Sequence, residues 1–168
     1  TVLNRNKQSV CLDLKDERQK EIFLSLVDTA DALIENYRPG KMDALGLGWE
    51  TLSARNPRLV YAAITGYGPD GPYKNRRVYD PLIQATTGAA ALQGGAKPEL
   101  IQMIIFDKVT ALTTAQAVTA ALLQRAKTGR GQYLPVPMVD AALQFNWPDV
   151  MWCRTLLGDD VEHNGELA

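Results

Sequence analysis

The stretch RLVYAAIT, residues 58–65, is the part of the chain that most clearly predicts a β-strand. It is rich in β-branched, aromatic and other apolar side chains, which favour extended structure. Pro57 and Gly66 border it, and both residue types are typical of places where a chain turns. The sequence therefore predicts a strand here, and the other elements can be placed outward from it.

Apolar runs on both sides of this strand predict the remaining elements. Shorter strands are predicted at 9–14, 32–34 and 133–136, and residues 100–106 are predicted to be a strand or a buried extended segment. Helical spacing of apolar residues, with Gly and Pro at the borders, predicts helices at 17–29, 41–45, 49–55, 81–92, 109–126 and 138–145. Strands that alternate with helices indicate an α/β fold with a Rossmann-like, mostly parallel sheet and flanking helices.

The composition is that of a globular protein, and it disfavours several functions. Of 168 residues, 46% are hydrophobic and 22% are charged, and the net charge of −1 gives no overall attraction for nucleic acid or an anionic membrane. No apolar run approaches the roughly 20 residues that span a bilayer, and no signal-peptide layout is visible. Cys11, Cys153 and His163 are too widely spaced to indicate a metal site or a disulfide framework. We therefore expect a cytoplasmic protein without a nucleic-acid or membrane partner.

Asp107 is the carboxylate with the most unusual position in the sequence. It follows the apolar run Met103-Ile104-Ile105-Phe106 and precedes the longest predicted helix. A carboxylate at a helix start is favoured by the backbone N–H groups and the helix dipole, so its position alone favours a helix cap. Apolar surroundings also favour a second interpretation, because a poorly solvated carboxylate can act as a nucleophile.

Basic and aromatic residues are concentrated in the predicted loops. Taken singly, each basic side chain is most simply a solvated surface charge, and each tyrosine is most simply half-buried packing. Together they are also suited to an anionic nucleotide, since arginine binds phosphate and an aromatic ring stacks on adenine. The basic residues are Arg5, Lys7, Arg38, Lys74, Arg76 and Arg77, and the tyrosines are Tyr37, Tyr67, Tyr73 and Tyr79.

Several short motifs, taken in order, resemble the class III coenzyme A-transferases. The motifs are Asn6-Lys7-Gln8-Ser9 with Leu12-Asp13-Leu14-Lys15, Ala30 through Gly40 (ADALIENYRPG), Leu45 through Glu50 (LGLGWE), Asn56 through Tyr61 (NPRLVY), Gly66-Tyr67-Gly68 through Gly71-Pro72-Tyr73, Tyr79-Asp80, Asp107, and Thr128 through Gln132 (TGRGQ) leading to Met138-Val139-Asp140. Each motif is weak alone, but their shared order across residues 4–142 is highly specific.

The resemblance implies a reaction and a binding site. Asp107 matches the family's catalytic aspartate, which attacks the carbonyl of an acyl-CoA, forms a mixed anhydride and then an aspartyl-CoA thioester. An acceptor carboxylic acid completes the exchange, so coenzyme A is a substrate and no permanently bound cofactor is implied. The residues that match the family's CoA site are Leu12, Asp13, Leu14, Lys15, Asn36, Tyr37, Arg38, Arg77, Val78, Tyr79 and Asp80.

The resemblance also implies what accompanies this stretch in the family. There, a first strand and loop precede the region that matches residues 1–168, and a glycine-rich loop and a small domain follow it. The chain is thus expected to be the central fragment of the family's large domain. Ala44 stands where formyl-CoA transferase carries an arginine that contacts CoA. The family's subunits interlock, so a homodimer is expected.

Two other interpretations remain open from the sequence. The related α-methylacyl-CoA racemases pair the aspartate with a histidine just before the position of Asp80, but this chain has Tyr79 there. Tyrosine, with an ordinary pKa of about 10, is poorly suited to the second proton transfer of a racemase. The third interpretation is a non-catalytic CoA-binding or oligomerisation module.

Overall fold

The computed structural model describes residues 4–94 and 96–151, and it confirms a mixed α/β fold. Strands β1 (Ala32–Glu35), β2 (Val60–Thr65) and β3 (Gln132–Pro137) form a parallel sheet in the order β1-β2-β3. The helices are α1 (Glu17–Thr29), α2 (Lys41–Ala44), α3 (Trp49–Arg55), α4 (Asp80–Thr86), α5 (Ala89–Gly94), α6 (Ile105–Thr128) and α7 (Met138–Met151). Within the described residues no helix is both long and apolar enough to cross a membrane. Cys153 and His163 lie outside them.

Strand β2 confirms the strand predicted at 58–65, beginning at Val60, and it is the centre of the sheet. Val60 pairs with Ala32 of β1 on one side and with Gln132 of β3 on the other. The side chains of Val60 through Ala63 are buried, because helices cover both faces of the strand. The three strand ends therefore lie side by side, and the loops that follow β1 and β2 meet at one edge of the sheet.

Helices α1 and α3 close one face of the sheet. Val27 of α1 and Leu52 of α3 belong to one buried cluster with Tyr61 of β2. The amide nitrogen of Asn56 donates to the carbonyl oxygens of Val27 at 2.9 Å and Ala30 at 3.0 Å, which satisfies the end of α1. These contacts fix the position at which β1 begins.

Helix α6 crosses the other face and is fixed at its carboxyl end. The Arg125 guanidinium donates to the carbonyl oxygens of Asp31 at 3.2 Å and Arg58 at 3.1 Å, immediately before β1 and β2. It also pairs with the Asp31 carboxylate at 2.7 Å. Gly129 then ends the helix at φ 76°, a left-handed conformation that glycine adopts without strain. The amino end of α6 consequently lies at the opposite edge of the sheet, where the strands end.

Two of the predicted strands are wrong. Residues 9–14 are irregular and run into a turn in which the Asp13 carboxylate accepts from the Lys15 backbone N–H at 3.0 Å; no other described strand pairs with them. Residues 100–104 are also irregular, and Leu100, Met103 and Ile104 are exposed. The backbone of this second segment bonds to the side chain of Gln84 instead of to a strand.

The predicted helix boundaries also need corrections, and the helix predicted at 138–145 continues to Met151 as α7. The helix predicted at 81–92 is divided into α4 and α5, with Gly88 between them at φ 84°. The longest helix begins at Ile105 rather than at residue 109, so Asp107 lies inside its first turn. The helices predicted at 17–29 and 49–55 are confirmed to the residue.

Candidate active site

The first turn of α6 receives its cap from α4. The Asp80 side chain is 2% exposed, and its Oδ1 atom accepts from the backbone N–H groups of Phe106 at 2.6 Å and Asp107 at 3.1 Å. Its Oδ2 atom accepts from the side-chain amide of Gln84 at 2.6 Å. The helix itself provides no side-chain cap, so the prediction that Asp107 caps its own helix is wrong.

The Asp107 carboxylate is therefore free of capping and lies exposed in the first turn of α6. Partial burial and, second, the negative charge of Asp80 raise the pKa of Asp107 above its ordinary value. Both effects destabilise the ionised form, and an ionised carboxylate that is poorly stabilised is a stronger nucleophile. The position of the Asp107 carboxylate can thus support covalent chemistry.

A groove of about 480 Å³ runs past Asp107 at the edge of the sheet where the strands end. The loop after β1, the end of β2, the segment before α4, the first turns of α6 and the start of α7 all contribute to its walls. Its lining residues are Asn36, Tyr37, Arg38, Pro39, Ile64, Thr65, Gly66, Arg76, Arg77, Val78, Tyr79, Asp107, Thr110, Ala111 and Met138. The predicted residues Asn36 to Arg38 and Arg77 to Tyr79 are thereby brought together with Asp107.

Gly66 allows the two walls of the groove to approach each other. A Cβ atom at Gly66 would overlap the Cγ1 and Cβ atoms of Val78. Val78 is β-branched and has little freedom to rotate away. The absence of a side chain at the end of β2 therefore determines how closely the segment with Val78 and Tyr79 packs beside Asp107.

Two groups of predicted site residues do not line this groove. Leu12, Asp13, Leu14 and Lys15 lie in the irregular segment before α1, where Leu14 packs against the core beneath β1 and β2. Asp80 lies behind the groove wall, with both carboxylate oxygens bonded inside the protein. Contact between these residues and CoA stays a prediction.

The four loop tyrosines differ in their surroundings. Tyr67 and Tyr73 pack edge to face with ring centroids 5.6 Å apart, and the Arg76 guanidinium lies 4.1 Å from the centre of the Tyr73 ring. Tyr37 and Tyr79 are exposed, Tyr79 by 76%, and both line the groove. Of the four, Tyr37 and Tyr79 are thus the rings available to a ligand there.

Several groove residues were not predicted from the sequence. Thr110 and Ala111 are three and four positions after Asp107, and that spacing places them on the same helix face. Knowledge that α6 begins at Ile105 would have identified them. Ile64 and Met138 come from the ends of separate elements, and nothing in their local sequence distinguishes them from core residues.

A second cavity, of about 470 Å³, shares Arg38, Pro39 and Thr65 with the groove. Trp49, Tyr61 and Tyr133 pack against one another in its wall, with ring centroids 5.7 to 6.2 Å apart. Glu35 lies at its edge, where burial raises the pKa of its carboxyl group. The rings fill the space between β2, β3 and α3, so they serve first to hold these elements together.

The chain resembles known proteins over nearly all of its length. The family model described as CoA-transferase family III matches residues 1–167. A formyl-CoA:oxalate CoA-transferase of Rhodopseudomonas palustris (strain TIE-1) is 40% identical over 161 residues, which are 95% of this chain and 36% of that protein. A probable fatty acyl-CoA transferase of Mycobacterium tuberculosis is 42% identical over 144 residues, which are 83% of this chain and 36% of that protein.

Solved structures agree with this sequence similarity. A CaiB/BaiF family protein from Brucella suis superposes with a TM-score of 0.84 at 37% identity, over 88% of this chain and 40% of that one. A crystal structure of a Mycobacterium tuberculosis protein gives a TM-score of 0.81 at 39% identity, over 88% of this chain and 42% of that one. The chain thus spans about 36% of the curated relatives that it matches. Since the family model covers the whole fold and the groove described above, this chain belongs to the CoA-transferase family III.

Proposed function

We propose that this chain carries the nucleophile of an enzyme that moves coenzyme A between an acyl-CoA and a carboxylic acid. The observation that supports the proposal best is the position of Asp107, an exposed carboxylate with a raised pKa in a groove that also contains Arg38 and Arg77. Family membership supports the reaction class. The identity of the acyl groups is a separate question.

The proposed reaction balances through four acyl transfers that all involve the Asp107 carboxyl group. The Asp107 carboxylate attacks the thioester carbonyl of the donor, forming an anhydride and releasing CoA thiolate. The thiolate attacks the aspartyl carbonyl, forming an aspartyl-CoA thioester and releasing the donor acid. The acceptor carboxylate attacks this thioester, and the freed thiolate then attacks the acceptor's carbonyl, which yields the new acyl-CoA and restores Asp107. Each step replaces one leaving group, so no oxidant or other co-reactant is needed.

The groove offers complementary groups for the nucleotide and pantetheine parts of CoA. Arg38 and Arg77 provide charge for phosphate, and Tyr37 and Tyr79 provide exposed rings. Asn36 and Val78 complete the same walls. In this proposal, residues 12–15 contact a part of CoA that extends beyond the groove.

The proposed reaction belongs to a longer enzyme, of which this chain forms one part. We place residues 1–168 in the large domain of such an enzyme, because the relatives are nearly three times as long as the matched stretch. A homodimer and a cytoplasmic location are part of the proposal. Exposed apolar residues on α6 support the first. The exposed free thiol of Cys11 suits the reducing compartment that the second requires.

Relatives differ in the acyl groups that their names give. One name gives formyl-CoA and oxalate, and the other gives a fatty acyl-CoA. Identities of 40% and 42% do not separate the two groups. We therefore propose the transfer reaction without taking the donor or acceptor from either name.

The test compares Asp107→Asn with Asp70→Asn, an exposed loop aspartate outside the groove lining. The Asp107 variant should bind CoA and lose transfer by orders of magnitude, because the amide cannot attack the thioester. The pKa of Asp107 is raised in the folded protein, so the protonated carboxyl group stabilises the fold at low pH. This contribution is lost as the pH rises through the folded-state pKa, and at neutral pH the ionised Asp107 does not stabilise the fold. Asp107→Asn should therefore not lower the melting temperature at neutral pH.

Hydroxylamine provides the direct measurement. In the longest available protein that contains this chain, acyl-CoA plus hydroxylamine should convert Asp107 to a hydroxamate that peptide mass spectrometry locates, and the Asp70 variant should behave as the parent does. A folded Asp107→Asn protein with near-parent turnover would end the proposal. CoA binding without any modification of Asp107 would point instead to a binding module.

A further inference from the structure

The part of the groove wall that β2, α6 beyond Asp107 and α7 contribute is largely apolar. Ala111 follows Asp107 by four positions on α6, so the two side chains lie one turn apart on the same helix face. Ile64, at the end of β2, and Met138, at the start of α7, line the same cavity. Met138 is 8% exposed and packs into the buried cluster that includes Phe106.

The polar atoms on this surface are already bonded within the protein. The Thr110 hydroxyl donates to the Phe106 carbonyl oxygen at 2.6 Å, so its proton is not available to a ligand. The Thr65 hydroxyl accepts from the Gly68 backbone N–H at 3.1 Å. A ligand group placed over α6 therefore meets the Ala111 side chain and a Thr110 hydroxyl whose proton is already donated, while the Thr65 hydroxyl on β2 keeps its own proton.

Positive charge reaches the groove from other elements. Among the described lining residues, the cations are Arg38, in the loop after β1, and Arg76 and Arg77, in the segment before α4. The lining residues of β2, α6 and α7 contribute none. The free carboxylate of a dicarboxylic acyl group would lose hydration over this surface without gaining a counter-ion, which is unfavourable. An alkyl chain would instead bind favourably there, because its apolar surface would be removed from water.

We propose that Ala111, Met138 and Ile64 form the binding site of an apolar acyl chain, and that Ala111 sets the length of chain the enzyme accepts. This inference rests on the proposed function, since the acyl group must be attached to Asp107 for these residues to contact it. It assigns the substrate class as thioesters of aliphatic monocarboxylic acids, as opposed to dicarboxylic acids.

The size of residue 111 provides the test. Leucine at this position adds three carbon atoms one turn from Asp107, and it suits a helix nearly as well as alanine does. The matched control is Ala120→Leu, which adds the same atoms at an exposed position of α6 outside the groove lining. Ala111→Val is a second, smaller variant that keeps the test available if the leucine variant does not fold.

The experiment measures CoA release with hydroxylamine as acceptor, using acetyl-, butyryl-, hexanoyl- and succinyl-CoA and the longest protein that contains this chain. In the parent, kcat/KM should rise at least about tenfold from acetyl- to hexanoyl-CoA, since each buried methylene contributes favourably, and succinyl-CoA should be poorer than butyryl-CoA. Ala111→Leu should lower the value for hexanoyl-CoA about tenfold or more and leave that for acetyl-CoA within about threefold, with Ala111→Val between.

The outcomes separate this inference from the proposed function. CoA release that is equally fast with every acyl chain, preference for succinyl-CoA, or equal effects of Ala111→Leu and Ala120→Leu would overturn the inference and leave the transfer reaction standing. Absence of CoA release with all four thioesters would overturn both. A change of chain-length preference confined to the residue 111 variants would establish the acyl site.

Discussion

The arginine residues have different roles in this molecule. Arg55 pairs with Asp28 at 2.6 Å and Glu21 at 2.9 Å, which joins α3 to α1. Arg125 bonds to the backbone before β1 and β2. Arg38 and Arg77 instead line the groove. The latter two are therefore the arginines whose loss should affect a ligand more than the fold.

Replacement of Arg38 or Arg77 by alanine should weaken CoA binding about tenfold each, because a charge-assisted phosphate contact is lost at a partly solvated site. The matched control is Lys127→Ala, an exposed cation in the last turn of α6 away from the groove. Calorimetry at two salt concentrations measures the effect, and the parent should lose more affinity with salt than either variant. Equal affinity losses in all three variants would remove the assignment.

The sequence predicted Asp107 as a site residue but did not predict what holds it. The resemblance and the apolar run before it pointed to Asp107, and the structure places this carboxylate in the groove with Arg77 and Tyr79. The carboxylate that caps α6 comes from Asp80, 26 positions before Phe106. A contact at that separation depends on how α4 folds against α6, and no local pattern in the sequence encodes it.

At the scale of the elements, the spacing of apolar residues predicted α1 and α3 correctly, whereas two predicted strands failed because a strand needs a pairing partner. Helix α1 is confirmed because its own residues, with Asp16 as cap, determine its limits. The alternating residues 9–14 form no strand, since alternation needs a neighbouring strand and none of the described strands adjoins them. In residues 100–104, the backbone groups of Ile101 and Met103 form hydrogen bonds with the Gln84 side chain instead of with a neighbouring strand.

Removal of the Asp80 charge should change both the stability of α6 and the titration of Asp107. Asp80→Ala leaves the buried Phe106 N–H without its acceptor, so urea unfolding should show a loss of about 1–3 kcal/mol. Asp80→Asn keeps an acceptor oxygen but removes a charge that raises the pKa of Asp107. The pKa of Asp107 should fall, and the acid limb of the pH–rate profile should move to lower pH.

Asp16→Ala provides the comparison, because Asp16 caps α1 by accepting from Arg18 and Gln19 at 3.0 Å each. It should cost about 0.5–2 kcal/mol and leave the acid limb unchanged. An acid limb that stays in place or moves to higher pH in Asp80→Asn would show that the charge of Asp80 does not raise the pKa of Asp107.

At the scale of the whole molecule, apolar surface is left uncovered on α6. Leu112 is 73% exposed and Leu123 is 63% exposed. They are eleven positions apart, about three helical turns, and so lie on one face of the helix. Large apolar side chains left exposed on one helix face are often covered in the functional assembly, which here is proposed to be a dimer.

Sedimentation should therefore show a dimer or larger oligomer at micromolar concentration, and Leu112→Lys with Leu123→Lys should shift it towards monomer. Burying a lysine in an apolar interface is unfavourable, because its charge loses hydration and gains no counter-ion. Gln124→Lys adds the same charge on another exposed face of α6 and should leave the assembly intact. A parent that sediments as a monomer at high micromolar concentration and binds no hydrophobic dye would contradict this expectation.

Helix α6 is anchored at both ends, by Asp80 at Asp107 and by the Arg125 contacts before β1 and β2. Eighteen positions separate Asp107 from Arg125. The helix therefore sets both the distance between these two residues and their relative rotation about its axis. Insertion of one residue between the anchors would turn Asp107 by about 100° relative to the groove. The number of residues in α6 between the two anchors is thus constrained separately from the identity of its exposed side chains. The proposed reaction at one edge of the sheet depends on the number of peptide units that reach the other edge.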